Sequence, residues 1–243
     1  MKINFYEEYP TEKNLEKLKF IGFPTKIFIA SKSLKEFKQR KKLARSFKSN
    51  ISCVYWPIIP KSYWISPLSN TKDLIKLFKE LDSCSEGLLI DLELPFSSNK
   101  KLFFKNLFSF RKNKRLIKKF LEKNKSRITC AELPLLFINQ LLILTGISYK
   151  ISYKKSLMWY SSMVPEVINK LIKKSLKKIK QKKNYSISLG TIATGFLGNE
   201  PILSPEKLEK DLRFLKKQGF EEVVIFRLGG LNKKYADVLN KSV

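Results

Sequence analysis

Gly87-Leu-Leu-Ile-Asp91-Leu-Glu93-Leu-Pro95 reads as a buried strand that ends in two acids. Side chains alternate along a strand, so Asp91 and Glu93 share one face. Leu88, Ile90, Leu92 and Leu94 fill the other face. Pro95 has no N–H to give to a ladder and ends it. An apolar strand with acids at its carboxyl end suits a barrel or an open parallel sheet, where sites gather at that end.

Outward from this stretch, further strand patterns occupy residues 2–9, 25–30, 51–56, 127–132, 156–162, 185–191 and 223–228. Helical patterns lie between them. Thr11 can cap a helix carrying Leu15 and Leu18, and Ser33 with Glu36 forms a capping box. Leu74, Leu77, Phe78 and Leu81 make one stripe in 71–81. Residues 100–125 are aromatic and basic, with Phe103, Phe104, Leu107, Phe108 and Phe110 among Lys and Arg, then Leu116, Ile117, Phe120 and Leu121 at helical spacing. That segment reads as an outer helix with a buried stripe or as an amphipathic lip for a membrane or greasy substrate.

The helix over 135–145 is apolar nearly all round and is expected to be well covered. A strongly basic helix over 166–182 is expected to turn Val167, Ile168, Leu171, Ile172 and Ile179 inward. Ser204 and Pro205 start the next helix, Leu208, Leu212 and Leu215 stripe it, and Gly219 ends it. A short final helix spans 233–240. Eight strands alternating with helices imply parallel βαβ units. The 243 residues match the roughly 250 of a typical (β/α)8 barrel. The expected fold is α/β, a single (β/α)8 TIM barrel, with residues 1–243 as one domain. An open doubly wound sheet would require one or two of these strands to be something else.

Composition sets limits. Hydrophobic residues make up 43%, enough for a core, and 49 Lys and Arg against 21 Asp and Glu give a net charge of +28. Such a charge favours nucleic acid, an anionic membrane face or a phosphorylated substrate. The lysines are dispersed and no nucleic-acid module is visible, so no specific nucleic-acid partner is expected. There is no histidine. A His base, a Ser-His-Asp triad and a His-ligated metal are excluded. Cys53, Cys84 and Cys130 are odd in number and widely spaced. They argue against a disulfide framework or zinc site and suit a reducing cytoplasm. No secretion signal is visible, and the apolar run 133–147 is too short and interrupted to span a bilayer. The expectation is a cytoplasmic protein, with peripheral contact to an anionic membrane open and the oligomeric state undetermined.

Chemistry must then rest on carboxylates, Tyr, Lys, Arg or Cys. Three strands end in Glu-x-Pro, at Glu8-Tyr9-Pro10, Glu93-Leu94-Pro95 and Glu132-Leu133-Pro134, and a fourth ends in Tyr55-Trp56-Pro57. A shared phase would bring Glu8, Tyr55, Asp91, Glu93 and Glu132 to one mouth. Arg227 shares a face with Val223 and Ile225 and is placed there as a counter-charge. Such a cluster can hold a proton on one acid, pair with Arg227, or bind a divalent ion such as Mg²⁺ or Mn²⁺ through oxygen ligands. Residue types alone leave these options open. Gly190-Thr191-Ile-Ala-Thr194-Gly195-Phe-Leu-Gly198-Asn-Glu200, with Gly229 and Gly230, offers a second site. In these barrels the last two loops often hold a phosphate.

Leu-Leu-Ile-Asp91-Leu-Glu93 resembles the Asp-x-Glu strand end of chitinase-like and muramidase-like glycoside hydrolases. Leu157-Met-Trp159-Tyr160-Ser-Ser162 is similar to their sixth strand. The resemblance implies that Glu93 protonates the glycosidic oxygen, Asp91 supports it and Tyr160 orients substrate. The fuller Asp-rich chitinase motif is absent, since Leu89 precedes Asp91 by two, and Glu8 stands where muramidases present Asp. Gly198-Asn-Glu-Pro-Ile-Leu-Ser-Pro205 and Phe226-Arg-Leu-Gly-Gly-Leu-Asn232 are similar to stretches of uncharacterised prokaryotic barrel proteins, which implies the fold and no activity.

Three functions compete. The leading one is hydrolysis of a carbohydrate or glycoconjugate by carboxylate general acid catalysis, with Glu93, Asp91, Glu132 and Glu8 as catalytic candidates. Tyr55, Trp159, Tyr160, Arg227, Thr191, Thr194, Gly229 and Gly230 would bind substrate, and Trp56, Trp64 or Trp159 could stack on sugar rings. The separation of the carboxylates would set the stereochemistry, about 5–5.5 Å for retaining and about 6.5–9.5 Å for inverting enzymes. The second is metal-dependent chemistry on a phosphorylated sugar or lipid headgroup, with Glu8, Asp91, Glu93 and Glu132 as ligands. The third is a non-catalytic barrel that binds an anionic polymer or membrane through basic helices.

Overall fold

The structure, a computed structural model, describes residues 1–60, 62–94 and 106–243. Eight parallel strands close into a barrel: β1 (Lys2–Glu7), β2 (Lys26–Ser31), β3 (Ser52–Pro57), β4 (Leu88–Asp91), β5 (Ile128–Glu132), β6 (Lys154–Met158), β7 (Tyr185–Gly190) and β8 (Glu222–Phe226). Each strand pairs with its neighbours in sequence, and β1 pairs with β8 to shut the ring. This is the (β/α)8 barrel that the alternation predicts, and the open sheet is set aside.

Outside the ring run α1 (Glu12–Leu15), α2 (Leu34–Phe47), α3 (Thr71–Asp82), α4 (Phe110–Asn124), α5 (Asn139–Thr145), α6 (Glu166–Lys177), α7 (Pro205–Lys217) and α8 (Lys233–Ser242). Their starts follow capping chemistry. Thr11, Ser33 and Ser204 side chains accept from the N–H groups of Asn14, Glu36 and Lys207. Gly146 closes α5 in the left-handed region, with φ +71°.

Two cores result. Between strands and helices lie Ile27, Ile29, Leu88, Ile90 and Leu92 with helix residues such as Phe37, Phe78 and Ile117. Inside the barrel, Tyr6, Phe28, Val54, Trp56, Leu89 and Val224 pack together. The lower interior is polar. Asn4 donates to Glu222 at 2.9 Å, and Lys154 pairs with the same carboxylate. Above them the Tyr6 hydroxyl donates to Ser156 at 2.8 Å and sits 3.1 Å from Ser188. The small serines of β6 and β7 leave room for the Tyr6 ring, which floors the space above.

Several expectations change. α5 has only seven residues and buries Leu142 alone. Phe137, Leu141 and Leu144 are exposed, so this segment is not well covered. On α6, Ile172 is buried as expected, but Val167 and Leu171 face solvent, and Asn169 and Leu176 take buried positions instead. The sixth strand begins and ends earlier than its pattern suggests. Pro95, Phe103 and Phe104 lie outside the described residues. Among the described residues no helix is long and apolar enough to cross a membrane.

Candidate active site

The carboxyl ends of the strands open into a pocket of about 300 Å³. Inward-facing side chains on alternate positions build it. β1 supplies Tyr6 and, just past its end, Glu8; β3 supplies Trp56; β4 supplies Leu89, Asp91 and then Glu93. β6 contributes Met158 and then Tyr160, and β8 contributes Phe226. The loop after β3 adds Tyr63 and Trp64, and the loop after β7 adds Phe196, Leu197 and Glu200. These loops meet through stacked Tyr63 and Phe196 rings, 4.7 Å between centroids.

Four carboxyl groups line this low-dielectric space, those of Glu8, Asp91, Glu93 and Glu200. Burial raises Glu8 to about 7, opposed by the hydrogen bond that it accepts from the Tyr63 hydroxyl and by the charge of Arg227. Burial drives Asp91 well above the usual carboxylate range, and the charges of Glu93 and Glu8 push it further. Burial, then the charge of Glu8, raises Glu93 to about 7. Like charges this close cannot all ionise at neutral pH, so the cluster retains protons. That is the condition for a carboxylic acid that donates a proton near pH 7.

Four buried atoms without a hydrogen-bond partner among the described residues belong to side chains lining this pocket: Glu8 Oε2, Trp56 Nε1, Asp91 Oδ1 and Glu200 Oε2. Buried polar atoms are normally satisfied, and a group of orphans around one cavity fits a polar ligand. The aromatic and aliphatic walls would cover the ligand's apolar faces.

Of the residues singled out in the sequence, Glu8, Asp91, Glu93, Tyr160 and Thr191 line the pocket, together with Trp56 and Trp64. Glu132 does not. It lies between barrel and helices, accepting from Tyr153 at 2.6 Å and Ser148 at 2.8 Å and pairing with Lys155 at 2.8 Å. The register explains this. Asp91 is level with Ala131, so β5 turns Ala131 inward and Glu132 outward. Tyr55 also faces outward. It stacks on Phe37 and donates to Glu80 at 3.0 Å, while its neighbour Trp56 takes the inward position. Trp159 is fully buried on the outer side, donating to Asn169 at 2.8 Å, with Phe214 against its ring.

The expected anion cradle is occupied by the protein's own carboxylate. Gly229 N–H donates to Glu7 Oε2 at 2.6 Å, and Arg227 reaches Glu7 Oε1 at 3.1 Å. Arg227 also donates to the Thr194 carbonyl, and the Gly230 N–H donates back to the Arg227 carbonyl. These five residues brace the rim beside the pocket. The Thr191 hydroxyl is used by the Pro201 carbonyl at 2.6 Å. Among the described residues no three Cys, Asp or Glu side chains gather closely enough to hold a metal ion. The outward turn of Glu132 removes one of the four ligands that a metal site would have used.

Sequence reasoning did not assign Tyr6, Tyr63, Glu200 or Gly195 to the site. Glu200 lay inside the quoted glycine-rich stretch, and Tyr63 in a long connection, but nothing in their spacing shows where a loop folds back. Gly195 has a direct role. A Cβ there would sit 2.6 Å from the Phe226 ring and 2.8 Å from Glu8 Oε2, so only glycine lets this loop close against the carboxyl group.

No protein-family model matches the sequence, and no curated protein matches it. Solved structures do share its fold. The PgaB (BpsB) glycoside hydrolase domain from Bordetella bronchiseptica superposes with a TM-score of 0.58 at 10% identity, over 99% of this chain and 97% of that one. The C-terminal domain of a putative chitinase from Desulfitobacterium hafniense DCB-2 gives 0.59 at 10% identity, over 100% and 97%. The 3-keto-D-glucoside 4-epimerase YcjR from E. coli gives 0.52 at 13%, over 100% and 98%. At such identities the likeness establishes the fold: this chain is a (β/α)8 barrel of the kind that hosts glycoside hydrolases and sugar epimerases alike.

Proposed function

We propose that this protein hydrolyses a glycoside or glycoconjugate, with Glu93 as the general acid. The observation that carries this reading is the gathering of Glu8, Asp91 and Glu93 in one pocket whose burial keeps protons on carboxyl groups near neutral pH. Glu93 is the less buried of the β4 pair and sits nearest the mouth end of its strand. It would protonate the leaving oxygen. Asp91, deeper and held protonated, would support it without adding a second negative charge. Glu8 comes from β1, three strands round the ring from β4. It would be the second carboxyl group, ionised against the developing positive charge on the sugar or activating water. Tyr160 would orient the sugar, and Trp56 and Trp64 offer faces for its rings.

A barrel shared with an epimerase does not choose the chemistry, so the reading rests on the pocket. The reading of a metal-bound, phosphorylated substrate is weakened by Glu132 and Gly229, whose groups are already engaged elsewhere. The test is turnover of a panel of aryl glycosides and oligosaccharides by the wild type, Glu93→Gln and Glu132→Gln. Loss of turnover in Glu93→Gln with activity kept in Glu132→Gln supports the assignment. Unchanged turnover in Glu93→Gln overturns it. Loss on chelation with rescue by Mn²⁺ or Mg²⁺ would point instead to metal-dependent chemistry.

A further inference from the structure

Apolar side chains that a barrel would ordinarily cover lie exposed on one flank of the barrel, in the segment after β5 and on α6. Phe137 is 50% exposed, Leu141 53%, Leu144 67% and Val167 71%. Leu171, one helical turn beyond Val167, is exposed as well. The 3-10 turn Leu136–Ile138 packs against both α5 and α6, so these elements form one surface. That surface continues into the pocket, since Pro134 and Leu135 line it just before the turn and Met163 and Val164 just before α6. Leu107 and Phe108, ahead of α4, are exposed too. Single exposed apolar residues are ordinary, whereas a connected group beside a pocket marks an interaction surface.

Charge indicates what covers it. On α6, Val167, Lys170, Leu171 and Lys174 share one exposed face at helical spacing. The amino end of α4 is basic through Arg111, Lys112, Lys114 and Arg115, and Lys114 Nζ donates to the Leu144 carbonyl at 3.0 Å. The basic groups therefore frame the apolar side chains. Two copies of a chain of net charge +28 would repel at such a face. An apolar patch framed by lysines is instead complementary to a surface of anionic headgroups over acyl chains.

We propose that the mouth of the barrel docks on an anionic lipid bilayer, with Phe137, Leu141, Leu144, Val167 and Leu171 entering the headgroup layer and the flanking basic residues on lipid phosphates. This docking is independent of the reaction proposed above. The experiment is co-sedimentation with phosphatidylcholine vesicles, with and without phosphatidylserine, over a range of salt. Wild-type protein should bind the phosphatidylserine vesicles and release as salt rises. Leu141→Glu/Val167→Glu replaces two exposed side chains, so its melting temperature should match the wild type, while its affinity should fall about tenfold or more. Equal binding by this variant and the wild type would show only diffuse attraction to a basic protein and would overturn the proposal. So would absence of binding to phosphatidylserine vesicles. A concentration-dependent dimer lost in the same variant would assign the patch to a second copy and equally overturn it. Hydrolysis of a soluble glycoside should be the same in both proteins, which separates failure of docking from failure of the catalytic reading.

Discussion

Substituting Glu8 by Gln should make the protein more stable at pH 8 and leave it almost unchanged at pH 4. Glu8 is buried, and its carboxyl is raised from 4.5 to about 7. A raised carboxyl binds its proton more tightly in the folded chain than in the unfolded one. Stability from that proton is present below the unfolded value and is lost as pH climbs through the folded value. Over that window the loss amounts to roughly 3 kcal/mol at 1.36 kcal/mol per unit. This is a ceiling, because water entering the pocket relaxes part of it. The glutamine amide oxygen can still accept from Tyr63, so the substitution removes the charge and keeps the hydrogen bond. For a chain of this size, about 2–4 °C per kcal/mol gives a rise in Tm of up to roughly 6–12 °C at pH 8. Thermal melts of both proteins at pH 4 and pH 8 measure it. A gain at pH 8 that nearly vanishes at pH 4 is expected. A loss at pH 8, or equal shifts at both pH values, would refute the claim that Glu8 is held in a desolvated acidic cluster.

Other expected outcomes concern the groups beside and away from the pocket. Gly195→Ala should cut turnover strongly with little change in Tm, because its Cβ would strike the Phe226 ring and the Glu8 carboxylate at the site; kcat and melting temperature together check this. Glu132→Ala should cost about 3–5 kcal/mol in urea unfolding, since it strands Lys155 and two hydroxyl groups in the outer core. The folded fraction should keep its activity. Arg227→Met should destabilise the protein more at pH 8 than at pH 5. Glu7, raised to about 7 by burial, needs that guanidinium only when ionised, and urea midpoints at the two pH values report the difference.

The barrel was legible because its signals are local. Ser33, Ser204 and Gly219 punctuate the helices, and the strand patterns alternate with them eight times. The acids of β4 were legible because Asp91 and Glu93 sit two apart on one strand, and no register is needed to put them on one face. The phase of each other strand was not. Strands of a parallel barrel are buried on both faces, so β5 carries Ile128 and Cys130 on one side and Thr129 and Ala131 on the other with no polar alternation to orient it. The same Glu-x-Pro ending therefore points Glu8 inward and Glu132 outward. One residue of phase likewise exchanges Tyr55 for Trp56. The glycine pair after β8 reads as part of a phosphate site, but the Gly229 N–H is given to a buried carboxylate of the same chain, Glu7. Glu200 and Tyr63 reach the pocket through loop folding, which leaves no period in the sequence.

The central claim is that Glu93 delivers a proton to a leaving oxygen. The measurement that reaches it most directly is the dependence of kcat/KM on leaving-group acidity for wild type and Glu93→Gln. Removing a general acid should cost about 10²–10⁴-fold on glycosides with poor leaving groups. It should cost far less on dinitrophenyl glycosides, whose leaving group departs without a proton. A loss of equal size on both kinds of substrate, or no loss on either, would contradict the account.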